Sequence, residues 1–328
     1  MNFAFAGTPL FAALVLRELV ELGRIPRLVI SQPDRGTGRG RRVTAPEAAV
    51  EASCRGMECF QTDDISSPEC VERLNSADIS TIVVAAFGQI LKRSLLEAFT
   101  CVNIHASFLP QYRGAAPIER AIMAGEKAVG VSIMRITDDL DKGPWAERTE
   151  LSLGLRQDAG AASRMLAVVG ASALAGVLDG IEDGTVRWIE QEGEGVYAHK
   201  LDAADAWLDA SESSLRAHNQ VRALSPAIGV RASLGGDAQV KIWRSWPYGA
   251  EGLDPVPEVA EDVGGNPGRI ILADGRMFIG CASGVLEVME LQPASRARMS
   301  TAEYLRGYSA CVGERLQSGS TRKTMENV

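Results

Sequence analysis

The sequence predicts an α/β protein, with a mostly parallel sheet wrapped by helices and a small β-barrel after it. Three observations carry this reading. Through residue 190, short apolar runs alternate with helical patterns, as strand–helix–strand units do. Five short strand-like segments then follow between residues 228 and 291, separated by Gly-rich turns. Between these two regions the chain turns polar, with Gly193, Gly195 and several acids, which reads as a linker.

Taken in order, Asn2–Ala6 reads as a strand, and Leu10–Leu22 spaces its apolar residues as an amphipathic helix. Leu28–Ser31 is a second strand. Pro46–Arg55 is a helix opening on proline, whose fixed φ suits a first turn. Ile82–Ala86 and Cys101–Ile104 are buried strands, a helix starts at Pro117, and Val129–Ile136 has strand character. Asp158–Leu178 is Ala-rich with helical spacing. Beyond the linker, Ser213–Ala223 reads as a helix. The five strands are Ile228–Leu234, Gln239–Ser245, Arg269–Leu272, Met277–Cys281 and Val285–Leu291, and Met299–Gly307 is a closing helix. The expected division is 1–190, a linker at 191–207, the barrel at 208–315 and a loose tail at 316–328.

A chain of 328 residues suits two domains, and 46% hydrophobic content is that of a soluble globular protein. No apolar run is read as approaching the roughly 20 residues that span a bilayer. Met1–Phe5 enters a strand without a basic leader, so a cytoplasmic protein is expected. The six cysteines, at 54, 59, 70, 101, 281 and 311, form no C-x-x-C pair, and there are only three histidines. A zinc site and a disulfide framework are therefore disfavoured, and buried thiols are expected. Gly7-Thr8-Pro9 is no G-x-G-x-x-G fingerprint, which disfavours a nicotinamide enzyme. A net charge of −8 weighs mildly against nucleic acid as a partner unless positive residues cluster. They do cluster in one loop, where Arg35, Arg39, Arg41 and Arg42 alternate with three glycines.

The residues richest in chemistry are Asn103 and His105, two apart at the end of a strand, so that both side chains face one way. An amide donor and an imidazole can then meet one reacting atom. Asp141, in the turn Leu140-Asp141-Lys142-Gly143-Pro144, is a carboxylate that a fold could bring to the imidazole. Such a trio suits transfer of a small acyl group to an amine: Asn103 stabilises an oxyanion, His105 moves protons and Asp141 orients the histidine. Each residue also has a plain structural reading. The histidine could be a loop brace, the aspartate a turn residue bonded to its own backbone, and the arginine run a solvated loop.

The stretch NIHASFLPQYRGAAPIERAI, with GVSIMRITDDLDKGP after it, resembles the active-site signature of the 10-formyltetrahydrofolate-dependent formyltransferases. The opening FAGTPLFA, the basic loop SQPDRGTGRGRR and the C-terminal segments VKIW and LQPA agree. The resemblance runs from about residue 1 to about residue 310 and is greatest to the members that formylate initiator methionyl-tRNA. It implies a Rossmann-like catalytic domain and an OB-like barrel that supports tRNA. It further implies 10-formyltetrahydrofolate as co-substrate, no metal, a monomer and no membrane partner. The catalytic residues implied are Asn103, His105 and Asp141. The folate pocket implied comprises Phe87, Gly88, Gln89, Ile90, Leu91, Asp138 and Asp139. The tRNA contacts implied are Arg35, Arg39, Arg41 and Arg42. Arg113 either touches the tRNA or braces the catalytic loop. The chain departs from the family where Lys142 replaces a common Thr or Ser, Asp139 a common Gly and Pro144 a common Asp; Lys142 is expected to point to solvent. Between Trp207 and Tyr308 there are 10 Lys and Arg against 12 Asp and Glu, so this half is not basic overall. Two alternatives stay open: the same chemistry on an amino-sugar nucleotide or other small amine, and a folate- or RNA-binding protein without turnover.

Overall fold

The computed structural model describes residues 1–37, 42–235, 238–250 and 252–317. They form two compact units. The first comprises Met1–Ile118, Ala128–Leu153 and Ala161–His199; the second comprises Glu119–Lys127, Gly154–Gly160 and the chain from Lys200 onward.

The first unit is built on seven strands: β1 (Phe3–Gly7), β2 (Leu28–Ser31), β3 (Cys59–Gln61), β4 (Thr81–Ala85), β5 (Thr100–His105), β6 (Ala128–Arg135) and β7 (Trp145–Ser152). Their order across the sheet is β7-β6-β5-β4-β1-β2-β3. β1 to β5 are mutually parallel; β6 runs antiparallel to β5, and β7 antiparallel to β6. Every residue of β1 and β4 is buried, as strands covered on both faces require. The helices of this unit are α1 (Leu10–Glu21), α2 (Glu47–Cys54), α3 (Pro68–Ser76), α4 (Arg93–Ala98) and α6 (Ala159–Glu182), whereas α5 (Pro117–Ala124) belongs from Glu119 onward to the second unit.

Four of these strands and helices had no counterpart in the sequence reading. β3 has three residues at the sheet edge, none of them buried. β7, WAERTELS, carries charges between its apolar positions and so shows no apolar run. α3 is announced by a Ser67 cap and Pro68, but only Cys70 and Leu74 are buried, leaving little periodicity. α4 is six residues long and buries only Leu95.

The expectation of no membrane-length apolar run is corrected by α6. Its 24 residues are long and apolar enough to cross a bilayer by length and composition. Ala162, Leu166, Ala167, Ala171 and Leu174 make a buried stripe at helical spacing. Gly170 lies so close to Ile104 and Val131 that a Cβ there would fall 2.6 Å from the Ile104 side chain. This face therefore packs on the sheet. The expectation of uniformly buried thiols is also corrected: Cys70, Cys101 and Cys281 are buried, Cys59 is half-buried, and Cys54 and Cys311 are exposed.

In the second unit, α7 (Ser214–Ala223) precedes β8 (Val230–Ser233), β9 (Gln239–Tyr248), β10 (Ile270–Ala273), β11 (Arg276–Gly280) and β12 (Val285–Pro293). The strands are antiparallel in the order β8-β9-β12-β11-β10. Residues 313–317 join the two edges. Gly313 N and Gln317 N donate to Leu234 O and Ser233 O at 2.6 and 3.0 Å, on the β8 side. On the β10 side, Ile270 N donates to Glu314 O at 2.7 Å and Leu316 N to Gly268 O at 2.7 Å. The sheet is thereby closed around Val230, Ile242, Met277, Ile279, Leu286 and Leu291. Helix α8 (Thr301–Tyr308) starts with a Ser300/Glu303 capping box and buries Tyr304.

Candidate active site

β1 lies between β2 and β4, so the chain winds away from it on both sides and leaves a crevice beyond the strands' carboxyl ends. β1 ends there at Gly7, β4 at Ala85 and β5 at His105. Gly7 is needed for close approach: a Cβ would sit 2.5 Å from the Ala12 side chain and 3.1 Å from Ala85 O. Thr8 Oγ1 and Gln32 Nε2 both donate to Phe87 O, at 3.0 and 2.7 Å. One carbonyl thus ties the loops after β1, β2 and β4.

Of the residues assigned to the folate pocket, Phe87 has its ring in the core with Leu95 and Phe99, so it presents backbone to the crevice. Gly88 takes φ +76°. Gln89 is engaged within the fold, accepting from Ile65 N at 2.8 Å and donating to Thr62 O at 2.6 Å. Leu91 is half-buried, and Ile90 is 87% exposed, an aliphatic surface without an internal partner of its size. Asp138 and Asp139 are exposed. Lys142 is exposed too, and its Nζ lies 3.9 Å from Asp139 Oδ2; it turns to Asp139 and not to Asp141.

The structure brings His105 and Asp141 together. His105 is 5% exposed, with Nε2 3.0 Å from Tyr112 O. A carbonyl can only accept, so Nε2 carries the proton and donates it. Nδ1 faces Asp141 Oδ2 at 3.8 Å. The same Oδ2 accepts the Gly114 N–H at 2.9 Å. Asn103, two residues before His105 on β5, is half-buried, and its carboxamide has no hydrogen-bond partner among the described residues. Tyr112 and Asp141 both stand in the left-handed region, at φ +57° and +51°. That conformation costs about 1–2 kcal/mol for each non-glycine residue, so the surrounding bonds must hold it.

Those bonds are numerous. Ser132 Oγ donates to Ser107 O at 2.7 Å and accepts from Leu109 N at 3.0 Å, and Ser107 Oγ donates to Gln111 O at 2.6 Å. Arg148, from β7, donates to Leu109 O at 2.5 Å and stacks over Phe108 and Trp145 at 4.4 and 3.8 Å. Arg113 donates from Nε and Nη2 to Gln191 Oε1 at 3.0 and 2.7 Å. Gln191 Nε2 in turn donates to Asp141 O and Gly143 O at 2.8 and 2.7 Å. The backbone of Arg113–Gly114 pairs in parallel with Tyr197–Ala198.

The arginine loop starts and ends as a hairpin, Arg35–Thr37 against Arg42–Thr44, with Arg35 exposed. Arg39 and Arg41 lie outside the described residues, and of Arg42 only the backbone is described. Sequence reasoning missed the Gly114 amide, the Tyr112 carbonyl and Gln191. Backbone groups leave no letter in a sequence, and Gln191 lies in a polar stretch with nothing local to mark it. Among the described residues no group of three His, Cys, Asp or Glu is placed to hold a metal ion.

Comparison with known proteins agrees with this architecture. The family model described as "Formyl transferase" matches residues 1–178, and "Formyl transferase, C-terminal domain" matches residues 200–309. A methionyl-tRNA formyltransferase of Methylococcus capsulatus is 37% identical over 96% of this chain and 99% of its own length. One of Rubrobacter xylanophilus is 42% identical over 94% of this chain and 98% of its own. Among solved structures, HypX from Aquifex aeolicus in complex with tetrahydrofolic acid superposes with a TM-score of 0.59 at 17% identity. The match covers 96% of this chain and 48% of HypX, so the chain spans about half that protein's length. WlaRD, a sugar 3N-formyl transferase, gives a TM-score of 0.58 at 18% identity, covering 90% of this chain and 99% of its own. With both models matched in order and relatives above 30% identity aligned nearly end to end, the chain belongs to the formyl transferase family.

Proposed function

We propose that this chain transfers the formyl group of 10-formyltetrahydrofolate to the α-amino group of methionine on initiator methionyl-tRNA. The observation that carries the chemistry is the trio at the end of β5: an uncommitted Asn103 amide, and His105 Nδ1 turned toward a fixed Asp141 carboxylate. The methionine nitrogen attacks the formyl carbon, forming a C–N bond while the carbonyl π pair moves onto oxygen. Asn103 donates its N–H to that oxyanion. With Nε2–H given to Tyr112 O, only Nδ1 of His105 can take the proton that the new ammonium loses. Asp141 steadies the imidazolium so formed. Collapse of the intermediate breaks the bond to N10 of the folate, and the proton passes to that nitrogen.

Clustered charge supports the tRNA partner. Arg231 and Lys241 are register partners on β8 and β9, and Lys241 Nζ and the Arg298 guanidinium lie 5.4 and 3.4 Å over the Trp243 ring. Burial lowers the Lys241 pKa first, and neighbouring Arg231 and Arg298 lower it further, as cations gathered on one face do. Arg222, by contrast, is buried and bonded to Asn219 and to the carbonyls of Gly154 and Gln157. In this reading Arg35, Arg39, Arg41 and Arg42 grip the acceptor end, while Arg113, engaged by Gln191, braces the catalytic loop. Residues 1–190 are the catalytic domain and 208–315 the tRNA-supporting barrel of a cytoplasmic monomer.

The test is a formylation assay with 10-formyltetrahydrofolate and methionyl initiator tRNA, read as formylmethionine by mass spectrometry, with methionyl elongator tRNA as control. Product on the initiator alone is expected. Product on a small amino sugar and none on tRNA would replace this reading. His105→Ala and Asp141→Ala are each expected to lower turnover by about 10²–10⁴-fold, and Asn103→Ala by about 10²–10³-fold, with unchanged circular dichroism. Near-normal turnover in the first two would remove the catalytic assignment.

A further inference from the structure

We infer that Gln191 is a positioning residue for the reaction, holding Asp141 opposite His105 through a bond to the aspartate's own backbone. The inference rests on the catalytic reading of Asp141 given above. Gln191 lies outside every sequence motif of the site, yet its side chain is the meeting point of three segments. Its Nε2 spends both protons on Asp141 O and Gly143 O, at 2.8 and 2.7 Å. Its Oε1 accepts both Arg113 donors, at 3.0 and 2.7 Å.

All the hydrogen-bonding capacity of the amide is thus used, and in one sense only. The Arg113 guanidinium has no acceptor, so it fixes which end of the amide is oxygen. The two donors must then face the turn. That turn needs external support, because Asp141 sits at φ +51°, which an L residue rarely adopts. The other constraint on Asp141 acts on its side chain, where Oδ2 accepts Gly114 N at 2.9 Å. Gly114 is the neighbour of Arg113, so the same short segment holds the carboxylate directly and the backbone through Gln191. Without Gln191 the carboxylate keeps one tether, and the turn loses its two bonds at Asp141 O and Gly143 O while keeping the one between Pro144 O and Arg135 N. His105 is buried and pinned by Tyr112, so it cannot follow.

The decisive variant is Gln191→Glu. It keeps the length and still accepts from Arg113, but it cannot donate to the two carbonyls. Gln191→Met, of similar length without a hydrogen-bonding end, is the companion should the first fail to fold. Turnover of initiator methionyl-tRNA at saturating substrates is measured for each variant alone and in an Asp141→Asn background, with Tm as the folding control. A folded variant is expected to lose about 10- to 100-fold in kcat with the KM for tRNA unchanged, as about an ångström of misplacement does. In the Asp141→Asn background the same substitution is expected to cost nothing more, because its target is already gone. Wild-type kcat in both folded variants would overturn the inference, and so would a full additional loss on top of Asp141→Asn. Undiminished turnover by Asp141→Asn itself would instead sink the reading on which the inference depends.

Discussion

Gly143 shows how closely the catalytic turn is fitted. A Cβ built on it would lie 1.9 Å from Arg135 O, a backbone atom that Pro144 O also fixes by accepting Arg135 N at 2.8 Å. Gly143→Ala must therefore shift the turn that carries Asp141. It is expected to lower kcat by at least about tenfold, measured with the formylation assay, while a change elsewhere on the exposed side of the turn, Lys142→Ala, leaves kcat near wild type. That Asn103 and His105 share one strand end follows from their spacing, a local property, whereas Asp141 was singled out by its turn motif and the family resemblance, and the structure puts its Oδ2 3.8 Å from His105 Nδ1. The direction of the histidine's proton was not legible: it is set by Tyr112 O, a group every residue possesses. His218 is buried, its ring nitrogens bonded to Ser245 Oγ and Leu155 O at 2.9 Å each, and burial pushes its pKa down to about 4. The unfolded chain takes up this proton near 6.5, so stability is retained above 6.5 and falls as pH drops toward 4. The loss at pH 4 is about 3 kcal/mol. Urea midpoints of the wild type and His218→Gln, measured at pH 7 and pH 4.5, are expected to converge as the pH falls. Glu51, held near 2 chiefly by Arg17, loses its contribution in a lower window, between 4.5 and 2, and leaves this comparison clear.

Among elements, the backbone of Arg35–Thr37 pairs antiparallel with that of Arg42–Thr44 on either side of the sequence Gly38-Arg39-Gly40-Arg41. If Arg39 and Arg41 each meet a phosphate, replacing both with Ala raises the KM for tRNA. It also flattens the salt dependence by about one log unit per log unit of salt for each contact removed. The KM for folate is expected to stay constant, and a KM for tRNA that does not move would contradict the assignment. The strands show where sequence patterns stop being informative. β1 and β4 were legible because burial on both faces forces a continuous apolar run. β7 was not, since an edge strand with Glu147, Arg148 and Glu150 among few apolar residues shows no strand period, although its Arg148 and Trp145 brace the loop beside His105. α6 was legible as a helix, but its length was not, because Ala and Gly give no strong stop signal.

For the molecule as a whole, net charge and local charge point in different directions. At −8 the chain repels nucleic acid at a distance, yet its sequence puts four arginines within residues 35–42, and Lys241 and Arg298 meet over Trp243. Such a distribution favours a partner that must be oriented before it is held, because only certain approaches meet positive potential. The closure of the barrel bears on how the chain reaches this state. β10, β11 and β12 can pair as they emerge, each next to its neighbour in sequence, and these are fast events. The final join is not: it needs residues 313–317 to meet β8 on one side and β10 on the other. Until it forms, the unfinished barrel has two unpaired edges, each able to pair with the same edge of another molecule. Refolding yield in this protein should therefore be governed by a race between a slow intramolecular closure and a second-order association, and dilution would favour the first.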